Sequence, residues 1–306
     1  MAHLLTMTSE SAYEALWVGS AVAELPCDVV LVRGPDAERY LQGQLSQDVA
    51  RLGPGDQAWS LLLQPQGKLV ALLRCARLGP DEFLLSTDGG IGDAVVERLL
   101  RFRLRTKADV EKLAWRCFAV RGAASVRSGP AVGGAPAVAG ASAMAGASAM
   151  AAVPAMAAVP EVGGAPGGGT APAGDNVPAH GETQPRERQA SGAEQVKVLW
   201  DWGGFRGYDL LGPAPVPPRG ATAVSAQDYE VARVEAGFPR HGAELDERTV
   251  PAEAGLVPAA VSFTKGCYTG QELVARIDSR GSNVPRHLRG FLLSGPASPG
   301  TALLAG

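Results

Sequence analysis

The chain has 306 residues and a formal net charge of −3. That length supports more than one hydrophobic core, and the charge balance offers no broad basic field for nucleic acid or an anionic membrane. The four cysteines, at 27, 75, 117 and 267, form no Cys-x-x-Cys pair, which argues against a zinc ribbon, a ferredoxin-type cluster or a disulfide framework.

No basic stretch leads into an apolar core at the N-terminus, so reducing cytoplasm is the expected compartment. Residues 1–24 carry only a short helix near Ser11–Trp17. Val29–Val32 then reads as a buried strand stopped by Gly34-Pro35, and Ala37, Tyr40, Leu41 and Leu45 follow at helical spacing. The segment Leu41–Val49 is rich in amides and reads either as a solvated helix end or as a ligand wall. Trp59–Gln64 and Lys68–Arg77 flank the turn Pro65-Gln66-Gly67, and Leu78–Asp81 turns the chain into Glu82–Thr87, an antiparallel meander. Ile91, Val95, Leu99 and Phe102 mark one helix face, so the four arginines of Arg98–Arg105 read as its solvated side. A strand pair is expected around Val110–Val120. Helices interspersed with hairpins predict an α+β fold, and no glycine-rich phosphate loop is present.

From 123 to 195 Ala, Gly, Pro, Val and Ser dominate, a composition that cannot offset the entropy of ordering and predicts a disordered insert. Its uncharged part, Ser128–Pro160, holds four prolines and is too weakly apolar for a membrane span. Lys197–Trp202 and Gly207–Leu211 then predict a hairpin. Ser225 with Asp228 predicts a capped helix carrying Tyr229, Ala232 and Glu235 and ending at Gly237. Arg289–Leu293 reads as a last strand.

The stretch Lys265–Glu272 places a thiol where it would be reactive. Thr269 and Glu272 read as a capping box ahead of Leu273, Val274 and Ile277, with Gly281 ending the helix. Cys267 would then face a helix N-terminus. An extended segment would put Lys265 on the same side, and both features favour thiolate. A buried structural cysteine beside an ordinary cap fits the same residues.

Lys265-Gly-Cys-Tyr-Thr-Gly-Gln-Glu272 resembles the signature of the YgfZ family of folate-binding, iron–sulfur cluster maintenance proteins, which are related to the glycine-cleavage T-protein, an aminomethyltransferase. Leu41-Gln42-Gly43-Gln44 with Asp48-Val49, Pro65-x-Gly67-Lys68, Arg233–Pro239 and Val274-Ala275-Arg276 support it in the same order, so the resemblance covers roughly 25–120 and 196–295.

The resemblance implies an α+β, T-protein-like fold of several subdomains around an opening that holds tetrahydrofolate. It divides the chain into a folate-binding region at 25–122, the insert at 123–195, a second α+β region at 196–285 carrying the motif, and the start of a truncated C-terminal β-barrel at 286–306. It implies Glu235 as the pterin-binding carboxylate, Tyr229 as an aromatic neighbour, and Gln44, Asp48 and Lys68 as further lining. Cys267 would be the reactive thiol with Lys265 as its electrostatic helper, and no metal site is implied. Iron–sulfur client proteins or cluster-assembly factors would be the partners. The alternative is a folate-dependent aminomethyltransferase or demethylase. Against it, the acidic pair such enzymes carry after the Pro65–Lys68 turn is replaced by Leu69-Val70-Ala71-Leu72, and Cys267 stands where they have an aspartate. Cys27 stands where some family members place a tryptophan.

Overall fold

A computed structural model describes residues 9–127, 195–281 and 283–291. The chain opens with α1 (Glu10–Trp17), β1 (Ala21–Leu25), β2 (Cys27–Arg33) and α2 (Ala37–Gln44). β3 (Gln57–Leu63), β4 (Leu69–Gly79), β5 (Glu82–Asp88) and α3 (Gly92–Arg101) come next, then β6 (Asp109–Leu113), β7 (Arg116–Arg121) and the short α4 (Ala123–Arg127). After the insert come β8 (Val196–Trp202), β9 (Phe205–Gly212), β10 (Thr222–Ala223), α5 (Ala226–Glu235), α6 (Val257–Ala260) and α7 (Gln271–Ser279).

Two five-stranded sheets organise these elements, in the orders β10-β1-β7-β9-β8 and β3-β4-β5-β2-β6. Every pairing is antiparallel except β1 with β10. The chain passes from the first sheet to the second at Pro26, which lacks the N–H a continuous ladder would need. It returns between β6 and β7. Those two strands are where a pair was expected, yet β6 joins β2 and β7 joins β1 and β9. The Ala114-Trp115 break sends them to different sheets.

α2 and α3 cover one face of the second sheet, burying Leu41, Leu45, Val95 and Leu99 against Val30, Leu73, Phe83 and Leu85. The other face buries Leu61, Leu63, Leu69 and Leu72 against Trp200, Phe238, Leu256, Tyr268 and Val274. Covered on both sides, Leu69–Ala76 of β4 is buried throughout, which is why it reads as an apolar run rather than an alternation. Each such leucine contributes about 1.5–3 kcal/mol on burial. α1 and α5 close the first sheet through Leu16, Phe205, Tyr229 and Ala232.

The stretches 25–122 and 196–285 therefore meet in one sheet, and all described residues belong to one compact unit. α1 and β1 of the first 24 residues are part of it, and the first residues of the expected insert form α4. The remainder of the insert, 128–194, and residues 292–306 of the expected barrel lie outside the described residues; Arg289–Phe291 form no strand.

Candidate functional site

A cavity of about 400 Å³ opens where the chain crosses between the sheets. Leu25, Pro26 and Cys27 line it from the first crossing, Leu72 and Arg74 from β4, Ser86 and Asp88 from β5, and Tyr229, Glu230 and Arg233 from α5. Trp59, Trp200 and Phe238 form an aromatic wall, with ring centroids 5.1 Å apart for the tryptophans and 4.6 Å for Trp200 and Phe238.

The base of the cavity is a buried charge triad. Asp209 accepts from Arg121 Nη2 at 2.7 Å and from Arg74 Nη2, and all three side chains are within 6% of full burial. Burial alone would raise the Asp209 carboxyl; the two guanidiniums override it and hold the group below its ordinary value. Arg121 also donates to Tyr229 Oη at 3.0 Å, and its guanidinium lies 4.1 Å from the Trp200 ring centroid. Burial pushes the Tyr229 phenol up to about 12. Nearer the opening, Glu230 pairs with Arg233 at 2.7 Å and Arg240 at 3.3 Å, and these cations hold its carboxyl low against the opposing effect of burial.

Three residues of the lining each bury a side-chain polar atom that has no hydrogen-bond partner: Ser86 Oγ, Trp200 Nε1 and Arg240 Nε. Buried polar groups are almost always paired, so three unpaired ones among residues that line one cavity are unusual. Among the described residues no group of three or more His, Cys, Asp or Glu is placed to hold a metal ion, and no helix is long and apolar enough to cross a membrane.

The residues expected at the site divide. Tyr229 lines the cavity, as does Cys27 in the tryptophan's place. Glu235 does not: it is exposed at the end of α5 and accepts from Tyr13 Oη at 2.8 Å. Gln44 is held outside the cavity by Arg98 Nη1 at 3.1 Å. Asp48 accepts from Gln42 Nε2 at 2.9 Å and pairs with Arg51, and Lys68 is exposed in the β3–β4 turn. Arg74, Asp88, Arg121, Asp209 and Glu230 were not anticipated. A signal existed for Arg74 and Asp209, since each is the one charged residue within a run of otherwise uncharged strand residues, Leu69–Ala76 and Gly207–Gly212, where an ion is seldom buried unpaired.

The motif loop also differs from its reading. The N-cap of α7 is Gly270, in the left-handed region at φ 85°, with no side-chain cap hydrogen bond. Thr269 instead turns to α2, its N–H donating to the Gly43 carbonyl at 3.1 Å, while Gln271 Oε1 accepts from the Tyr268 N–H at 2.9 Å. Lys265 Nζ donates to the carbonyls of Gln42, Leu45 and Gln47 at 2.6, 2.6 and 3.0 Å, which uses all three of its donors. Burial lowers its amine to about 8. The lysine is thus a clamp between the motif and the end of α2, and Cys267 stands exposed beyond it. Lys265→Met leaves those carbonyls unpaired and is expected to destabilise the fold by about 2–3 kcal/mol. Alkylation of Cys267 by a neutral reagent should not slow in this variant, whereas a fall in that rate would restore the lysine as the thiol's activator.

No protein-family model matches the chain. It is 28% identical over 297 residues to the iron–sulfur cluster assembly factor IBA57 of Mus musculus, covering 89% of this chain and 67% of that protein. Over 75 residues it is 43% identical to the tRNA-modifying protein YgfZ of Escherichia coli, covering 24% of this chain and 22% of that one. The chain is thus similar in sequence to the YgfZ and IBA57 proteins. It shares its fold with the glycine-cleavage aminomethyltransferase T of Bartonella henselae, at a TM-score of 0.62 and 16% identity over 90% of this chain and 69% of that one. It spans 63–67% of the length of the curated relatives it matches over most of its own. Leu69–Leu72 are buried in β4, so the stretch after the β3–β4 turn supplies no carboxylate.

Proposed function

We propose that the chain binds a tetrahydrofolate in the cavity between its sheets and supports assembly or repair of iron–sulfur clusters in other proteins, with Cys267 as the reactive thiol. The observation that carries the reading is the cavity itself: about 400 Å³, walled by Trp59, Trp200 and Phe238, with Ser86 Oγ, Trp200 Nε1 and Arg240 Nε unpartnered. Pockets of this volume and character accept flat, partly polar cofactors. The aromatic rings would hold the flat face of the ligand and the polar residues of the lining its polar edge. A bound tetrahydrofolate supplies a carrier for a one-carbon unit.

The chain's own contribution on the outer surface is the thiol. Of the four cysteines Cys267 alone is exposed, whereas burial pushes the Cys75 thiol up to about 12, and the hydrogen bond with Cys27, joined by burial, raises the Cys117 thiol. Contact with an iron–sulfur client or a cluster-assembly factor therefore falls to Cys267. In a strain lacking this protein, the wild-type chain is expected to restore cluster-enzyme activity and Cys267→Ala to leave it depressed. Restoration by the alanine variant would remove the thiol from the mechanism.

A further inference from the structure

Three carboxylates line the cavity: Asp88, Glu230 and Asp209. Asp209 is committed to Arg74 and Arg121, and Glu230 to Arg233 and Arg240. Asp88 stands apart. It ends β5, forms no ion pair within 4 Å among the described residues, and accepts one hydrogen bond, through Oδ2 from the His241 N–H at 2.8 Å. Its other oxygen has no described partner. Ser86 lies two residues earlier on the same strand and so on the same face of the sheet, with its hydroxyl also unpartnered.

We propose that Asp88 is the carboxylate that reads the ligand's edge: its free oxygen accepts an N–H donor of the bound heterocycle, so the cavity takes its ligand in the ionised state of this residue. The proposal rests on the folate reading above and adds to it both the reading group and a pH dependence. Ionised carboxylates accept from N–H donors about twice as strongly as neutral acceptors do, and a protonated Asp88 offers one acceptor oxygen fewer.

The surroundings place the switch in an accessible range. Burial raises the Asp88 carboxyl to about 6, although the His241 N–H and the guanidiniums of Arg240, Arg233 and Arg74 all pull it down. These groups reach Asp88 from β4, from α5 and from the loop after α5. The neighbouring His241 imidazole, itself lowered by burial, is a second titrating group, so its effect must be separated by substitution at Asp88. With a folded-state value above the unfolded one, the free chain gains stability from this group at acid pH and loses it as pH rises from about 4 to about 6. Ligand affinity moves the opposite way, increasing over the same interval.

The test is calorimetric titration of 5-formyltetrahydrofolate into the full chain between pH 5 and 8. Wild type is expected to lose about tenfold in affinity per pH unit below the Asp88 transition. Asp88→Asn should bind weakly with that dependence abolished, and Asp88→Glu, which keeps a carboxyl, should retain it. Thermal melting of each variant establishes that it is folded. Wild-type binding with an unchanged pH profile in a folded Asp88→Asn overturns the role of Asp88 alone. No saturable wild-type binding at any pH overturns the folate reading with it.

Discussion

Asp209→Ala is expected to be among the most damaging single substitutions in the chain. Among the described residues it removes the only anion paired with Arg74 and Arg121, whose side chains are 5% and 0% exposed. Removing one partner of a buried ion network typically costs about 3–5 kcal/mol, because the remaining charges stay buried and unpaired. For a protein of this size that corresponds to a melting-temperature fall of at least ~6 °C. The exposed pair Arg206–Asp201 is the control, since its side chains are 62% and 61% exposed. Asp201→Ala should change stability by no more than about 0.5 kcal/mol, as solvent screens such pairs. The triad also gives an acid limb. The Asp209 carboxyl is held below its ordinary value, so its contribution is complete above the usual carboxylate range and is lost as pH falls through the folded-state value. A thermal melt of Asp209→Ala that matches Asp201→Ala would mean the triad is not a unit.

Gly270→Ala is the second large effect. At φ 85° an L-residue is strained, and a Cβ there would stand 2.5 Å from the Gln64 carbonyl oxygen and 2.8 Å from Leu63 Cβ. The left-handed conformation costs about 1–2 kcal/mol, and overpacking against a fixed strand end typically adds about 1–3 kcal/mol. Gly67 in the β3–β4 turn makes the same contact from the other side, where a Cβ would stand 2.5 Å from Leu273 Cβ. These two glycines let the turn dock on the start of α7, which is how two motifs about 200 residues apart in sequence come together. Gly270→Ala is expected to lower the denaturant midpoint and to speed alkylation of Cys267 as its loop loosens. An unchanged midpoint would mean that the turn and α7 can move apart without loss.

Much of the fold was legible because its signals are local. The Pro65-Gln66-Gly67 turn between β3 and β4 and the Ser225–Asp228 capping box each depend on a few adjacent residues, and both form. The α+β reading followed from helices set among hairpins, and the antiparallel sheets with packed helices agree with it. The site was harder because it depends on which side of an element faces which sheet. On α5, Arg233 follows Tyr229 by four residues and shares its face, whereas Glu235 lies six residues on, roughly 120° away around the helix. Periodicity thus separates Glu235 from the cavity, where the motif resemblance had placed it. Lys265 was misread for a related reason. The alternation of an extended segment put it beside Cys267, but its amine reaches the carbonyls at the end of α2, a contact more than 200 residues away in sequence. Asp88 gave no signal, since an acidic residue before Gly89-Gly90 reads as an ordinary turn.

The central claim is that the cavity between the sheets holds tetrahydrofolate, and calorimetry on the full chain at pH 7.5 tests it most directly. The expected result is saturable binding of one ligand per chain by wild type and equally by Glu235→Ala, whose side chain is outside the cavity. Ala226→Trp, which sets a bulky ring at an exposed position of the cavity's lining, should bind at least tenfold more weakly while melting as wild type does. Absence of saturable binding by the folded wild-type chain, or wild-type affinity in Ala226→Trp joined to loss of binding in Glu235→Ala, would contradict it.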